Sequence, residues 1–98
     1  MARGNGKADA VISAAVAEEF QNSARSEGSQ LIWQIALERG EHAGKYVARP
    51  ILVRGGRPRP MAYLIVADTL EGVQDSLPSG LQRVRCDDPL IVENWIER

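Results

Sequence analysis

KYVARPILVRGGRPRPMAYLIVAD, residues 45–68, decides the fold class. Its first part, 45–54, is rich in β-branched and aromatic residues and contains Pro50. That composition favours a strand. Proline cannot donate to a ladder, so this strand is expected at a sheet edge, or bulged at Pro50. GGRPRP, 55–60, concentrates glycine and proline and reads as a loop. The run that follows has strand length and is apolar on both faces, which predicts that Met61 to Ala67 form a buried central strand.

Upstream, Leu31, Trp33, Ile35 and Leu37 alternate with Ile32, Gln34, Ala36 and Glu38. A helix capped by Ser29, with Ile32, Ile35, Ala36 and Arg39 on one side, competes for the same residues. The tryptophan, the two isoleucines and eight alternating positions favour a strand. RGEHAG supplies the turn after it. The three segments together predict an antiparallel meander with short connections.

Further upstream, Ala8, Ile12, Val16, Phe20 and Ala24 recur every fourth residue and predict a helix over about 8–25. Asp9 would sit in its first turn, Asn5 would cap it loosely, and Gly28 would stop it. Residues 1–7, MARGNGK, read as a flexible tail. Downstream, TLEGVQDSLPSG reads as a short helix or turn and LQRVRC as a half-exposed strand. At the end, Asp87 or Asp88 can cap a helix and Pro89 suits its first turn. Ile91 with Trp95, and Val92 with Ile96, would form its apolar stripe. The expectation is a single α+β domain over 8–98, in the order α-β-β-β-α-β-α. A small antiparallel sheet of about four strands would carry the N- and C-terminal helices on one face.

The chain's 98 residues suffice for one core, and 44% apolar with 26% charged residues is a globular composition. A net charge of -1 gives the whole molecule no preference for polyanions. Cys86 is the only cysteine, which excludes an internal disulfide and a cysteine-rich zinc site. No signal-peptide pattern is present, and AVISAAVAEEF is too short to span a bilayer and ends in charge. A soluble, cytoplasmic protein without membrane contact is expected.

Charge is unevenly distributed. Ten arginines stand against two lysines. Between His42 and Ala67 lie Lys45, Arg49, Arg54, Arg57 and Arg59 with no acidic residue. Arg49, Arg54, Arg57 and Arg59 are therefore candidate contacts for an anion or a partner. The ordinary alternative is a solvated loop, or pairing with Asp68, Glu71 or Asp87. Nucleic acid is disfavoured by a pI near 5.8 and by the scarcity of aromatics, Tyr46 and Tyr63 being the only ones nearby.

No catalytic constellation emerges. The chain lacks GxGxxG and GxxxxGK[ST], and GGRPRP lacks the spacing of a phosphate cradle. His42 stands alone in a predicted turn, and no spacing joins it to Asp87 and Asp88 as a metal site. Cys86 lies between Arg85 and a predicted helix start, which would favour a thiolate, but a small core residue is the ordinary reading. Ser79 has no base nearby. Trp33, Tyr63 and Trp95 are candidate pocket or interface residues, and core anchors on the ordinary reading. No cofactor is implied. The leading expectation is a non-enzymatic binding or interaction module that self-associates, because a sheet covered on one face needs cover for its other apolar face. The alternatives are an anion- or nucleic-acid-binding protein using residues 49–59, and a small enzyme using Cys86 or His42.

Overall fold

The computed structural model describes residues 9–40 and 42–97. Its elements, in order, are β1 (Ala10–Val11), α1 (Ala14–Glu27), β2 (Gln30–Leu37), β3 (Tyr46–Arg54), β4 (Arg57–Pro60), β5 (Tyr63–Ala67), α2 (Leu70–Asp75), β6 (Leu81–Val84) and β7 (Glu93–Glu97). The seven strands form one mixed sheet in the order β1-β5-β3-β2-β7-β6, with β4 paired to β3 off that path. Only β1 and β5 run parallel. The expected four-stranded antiparallel sheet flanked by terminal helices is therefore overturned. The domain is mostly sheet, with one helix longer than two turns among the described residues.

The C-terminal segment accounts for much of the difference. Asp88 does cap, but it caps a turn: the Leu90 N–H donates to Asp88 Oδ1 at 2.9 Å and the Ile91 N–H to the Asp88 carbonyl at 3.1 Å. The Val92 N–H then donates to the Ile35 carbonyl at 2.7 Å, and the chain enters the sheet as β7. Residues four apart share a face in a strand as well as in a helix, because four is a multiple of two. The spacing that suggested a helix was equally that of a strand.

At the N-terminal end the helix starts later than its periodicity suggests. Ser13 Oγ accepts from the Val16 N–H at 3.2 Å and caps α1. Gly28 ends it as expected, at φ 76, where the following Ser29 N–H reaches the Ala24 carbonyl at 2.8 Å. Ala10 and Val11 are drawn instead onto β5, pairing with Tyr63 and Leu64. Asp9 thereby leaves the helix and meets Arg49, with Nη2 to Oδ2 at 2.6 Å. The expected tail, 1–7, and the Asn5 cap fall outside the described residues.

GGRPRP is only partly a loop. Gly55 and Gly56, at φ 59 and 78, form a two-residue turn that demands left-handed backbone at both positions. RPRP is a strand. Pro50 also sits differently from expectation, inside β3 with neighbours on both sides. On the β2 side, antiparallel alternation from the Glu38 N–H to Lys45 carbonyl bond makes Trp33–Pro50 a non-hydrogen-bonded pair. On the other side, β5 pairs with residues 46–48 and β4 with 51–54. The proline nitrogen thus falls in the gap between two partners, where no ladder bond is lost.

Both helices lie on one face of the sheet. Ala17 and Ala24 of α1 and Val73 of α2 pack with Leu31, Trp33, Ile35, Ala48, Ile65 and Leu81. Tyr63 meets Phe20 edge-on, with ring centroids 4.9 Å apart.

Candidate functional site

Cross-strand partners share a face, so the register identifies what the opposite face carries. Ile32 lies between Ile51 and Ile96, Ala36 beside Val47, Val47 beside Val66, and Leu64 beside Val11. Pro58 and Pro60 extend the same face through Val53 and Ile51. Among the described residues no helix covers it. Val47, Ile51 and Leu64 are buried, while Ile32, Ala36, Val53, Val66 and Ile96 stay half-buried and Val11 is exposed.

A polar row crosses this apolar face. Arg49, Gln34 and Asn94 are successive cross-strand partners on β3, β2 and β7. Arg49 is neutralised by Asp9, and it also donates to the Met61 carbonyl at 3.1 Å. Asn94 Oδ1 is enclosed and has no hydrogen-bond partner among the described residues. The face thus combines apolar surface, one internally compensated charge and two amides, each able to donate and accept.

The four candidate arginines do not form one cluster. Arg49 lies on the open face. Arg54 is on the helix side, where Nη2 donates to Glu27 Oε1 at 2.7 Å and Nε to Ser29 Oγ at 3.3 Å. Arg57 and Arg59 share that side, opposite Arg54 and Leu52, and have no ion pair among the described residues. They line a shallow groove of about 490 Å³ with Leu52, Arg54 and the two prolines. Leu52 and Arg54 also line an adjoining notch of about 190 Å³, floored by Phe20, Ala24, Leu31 and Met61.

Neither the groove nor the notch is lined by Trp33, Tyr63 or Trp95. Trp33 is fully buried, and its Nε1–H donates to Gln21 Oε1 at 2.8 Å. Gln21, 1% exposed, passes the contact on by donating Nε2 to Glu97 Oε1 at 3.0 Å. Trp95 Nε1 donates to Glu93 Oε1 at 2.9 Å. Glu93 also accepts from Gln74 Nε2 at 2.7 Å and from Arg83 Nη1 at 3.0 Å. Burial pushes the Glu93 carboxyl upward, but donation from Gln74, Trp95 and Arg83 outweighs it and holds the group below the usual carboxylate range. This is a structural carboxylate with both oxygens engaged. Sequence reasoning missed it because an expected helix concealed its place beside Trp95 and Arg83.

His42 occupies the β2–β3 turn, where its carbonyl accepts from the Lys45 N–H at 3.0 Å. Cys86 is a half-buried free thiol just after β6. Ser79 donates through its N–H and its hydroxyl to the Glu18 carboxylate, at 3.1 and 3.3 Å. Among the described residues no cluster of metal-ligating side chains occurs, and no helix is long and apolar enough to cross a membrane. No family model matches the chain, and no curated protein or solved structure does either.

Proposed function

We propose that the protein is a non-enzymatic interaction module whose first partner is a second copy of itself, packed open face to open face. The observation that carries this reading is the one-sided helix layer. It leaves Ile32, Ala36, Val53, Val66 and Ile96 on a face that no described helix covers. Six strands at about 4.8 Å spacing, each about five residues long, give a face of about 29 by 17 Å. That is about 500 Å² in projection and more in accessible area, on the order of the ~800 Å² each partner contributes to a standard interface.

Charge and polarity suit a second copy. The ion pair with Asp9 means that Arg49 brings no uncompensated charge into the interface. A two-fold axis brings the same patch against itself. Gln34 and Asn94 are self-complementary in that setting, since an amide can both donate and accept. The β4 edge is a poorer route. Arg54 and Arg57 flank a two-residue turn as a hydrogen-bonded pair, so the Arg57 and Arg59 N–H groups face β3. Pro58 and Pro60 hold the outward positions and have no N–H to donate, which blocks strand addition there.

Sedimentation velocity tests the reading. The parent chain should sediment as a dimer at micromolar concentration. Ile32→Lys with Ile96→Lys, two half-buried neighbours on the open face, should give a monomer with unchanged circular dichroism. Val53→Lys, nearer the hairpin, provides a milder variant should that pair unfold the sheet. A monomeric parent at high micromolar concentration, or folded lysine variants that remain dimeric, would sink the proposal.

A further inference from the structure

The geometry points to a second, independent site: the groove along the β3–β4 hairpin, with the apolar notch that adjoins it at α1, binds a short acidic segment of another protein, in extended conformation, with the pattern Glu-x-Glu-x-Leu or its reverse. Three observations converge on it. Arg57 and Arg59 are exposed, sit on the same side of β4, and have no ion pair among the described residues. Two strand residues advance about 6.6 Å, which is also the spacing of alternate side chains on an extended peptide. Two guanidinium forks at that spacing match two carboxylates at the same period.

The second observation is stiffness. Pro58 and Pro60 alternate with the arginines and fix their own φ. The Gly55–Gly56 turn and the paired β3 strand hold the hairpin from the other side. Less backbone freedom is lost when a ligand lands on such a strand. The missing outward N–H groups also mean that recognition runs through side chains and not through strand addition.

The third is the adjoining notch. Met61 follows Arg59 by two residues, and it lines the apolar recess with Phe20, Ala24, Leu31 and Leu52. A peptide lying along β4 that places carboxylates on Arg57 and Arg59 brings its next same-side residue over this recess. An apolar side chain there buries surface, and the pattern follows. Arg54 does not contribute a free charge, because Glu27 already holds it.

Among the described residues Phe20 is the ring that lines the adjoining notch, and it is engaged edge-on with Tyr63. The protein is acidic overall, with a pI near 5.8. Both features favour an acidic peptide over a nucleic acid.

Fluorescence anisotropy decides it, using fluorescein-labelled Ser-Glu-Ser-Glu-Ser-Leu-Ser at low and at physiological salt. Saturable binding that weakens as salt rises is expected. Arg57→Gln with Arg59→Gln should weaken it at least tenfold; both residues are exposed, so the fold should stand. Replacing the peptide leucine with serine should weaken binding to the parent but not further weaken it to Met61→Ser. No binding at millimolar protein overturns the site, and so does unchanged binding to the double arginine variant. A labelled oligothymidylate that binds more tightly than the peptide, through the same arginines, would replace the peptide with nucleic acid and refute the inference as stated.

Discussion

Replacing Glu93 with leucine removes the group that ties α2 to the far end of the sheet. Its carboxylate accepts from Gln74 on α2, from Trp95 on β7 and from Arg83 on β6. Hydrogen bonds to a charged group contribute about 1.5–3 kcal/mol each. The Arg83 side chain is 64% exposed and can return to water, so its share falls to that of a surface pair, about 0–1 kcal/mol. The other two donors are part-buried, and at the lower end of that range they together set an expected loss of about 3 kcal/mol. In a domain of this size that corresponds to a melting temperature lowered by about 12–24 °C. Glu93→Gln keeps one acceptor oxygen for Gln74 and Trp95 and should cost only about 1 kcal/mol. Arg83→Ala should cost less still.

Urea unfolding at one fixed protein concentration gives this ranking. The concentration must be held constant because dimerisation would itself raise apparent stability. A Glu93→Leu loss below that of Arg83→Ala would refute the account of this carboxylate as the clamp. The pH dependence supplies a second readout. Because the folded carboxyl titrates below its usual value of 4.5, its stabilisation is complete above that pH and is lost as pH falls through the lower folded value. Glu97, held down by donation from Arg25 and then Gln21, and Asp68, held down by Lys45, shift in the same direction. The parent should therefore lose stability below about pH 4.5. Glu93→Gln should show a shallower loss over that interval.

Two further changes test the frame around both proposed sites. Gln21→Met strands the indole N–H of a fully buried Trp33 and should cost about 1–3 kcal/mol. Adding Trp33→Phe should cost less than the sum of the single changes, and strict additivity in a urea double-mutant cycle would contradict the contact. Gly56→Ala meets no atom within 4 Å but must hold φ 78, so it should cost about 1–2 kcal/mol through backbone strain alone. A neutral result by thermal melting would mean that the β3–β4 turn relaxes to another geometry.

What the sequence revealed depended on whether a residue's partners were local. β2 is legible because eight alternating positions, with a tryptophan and two isoleucines, favour a strand over the competing helix. Ile12 is not legible in this way: its spacing to Val16 and Phe20 is helical, yet its N–H donates to the Leu64 carbonyl at 2.8 Å, a partner no local pattern reveals. RPRP reads as a loop because glycine and proline are the strongest local punctuation in a chain. An edge strand uses only alternate N–H groups for pairing, and both prolines fall on the unused set. The basic segment was legible as a charge excess, but not as two sites. Only the fold shows that Asp9 neutralises Arg49 and Glu27 neutralises Arg54, leaving Arg57 and Arg59 free of ion pairs among the described residues.

The uncovered second face follows from the same distinction. A packed helix is about 10 Å across and covers about two strands spaced at 4.8 Å. α1 and the shorter α2 can therefore shield about four strands of a six-strand width, and both lie on one side. The apolar character on both sides of β5 was readable from sequence. The missing cover became evident once the C-terminal segment proved to be β7, because a helix expected as shielding is instead additional sheet to be shielded. That conversion enlarges the apolar face with Ile96 and places Asn94 beside Gln34 at its centre. The strand that invalidates the expected architecture thus strengthens the physical case for self-association.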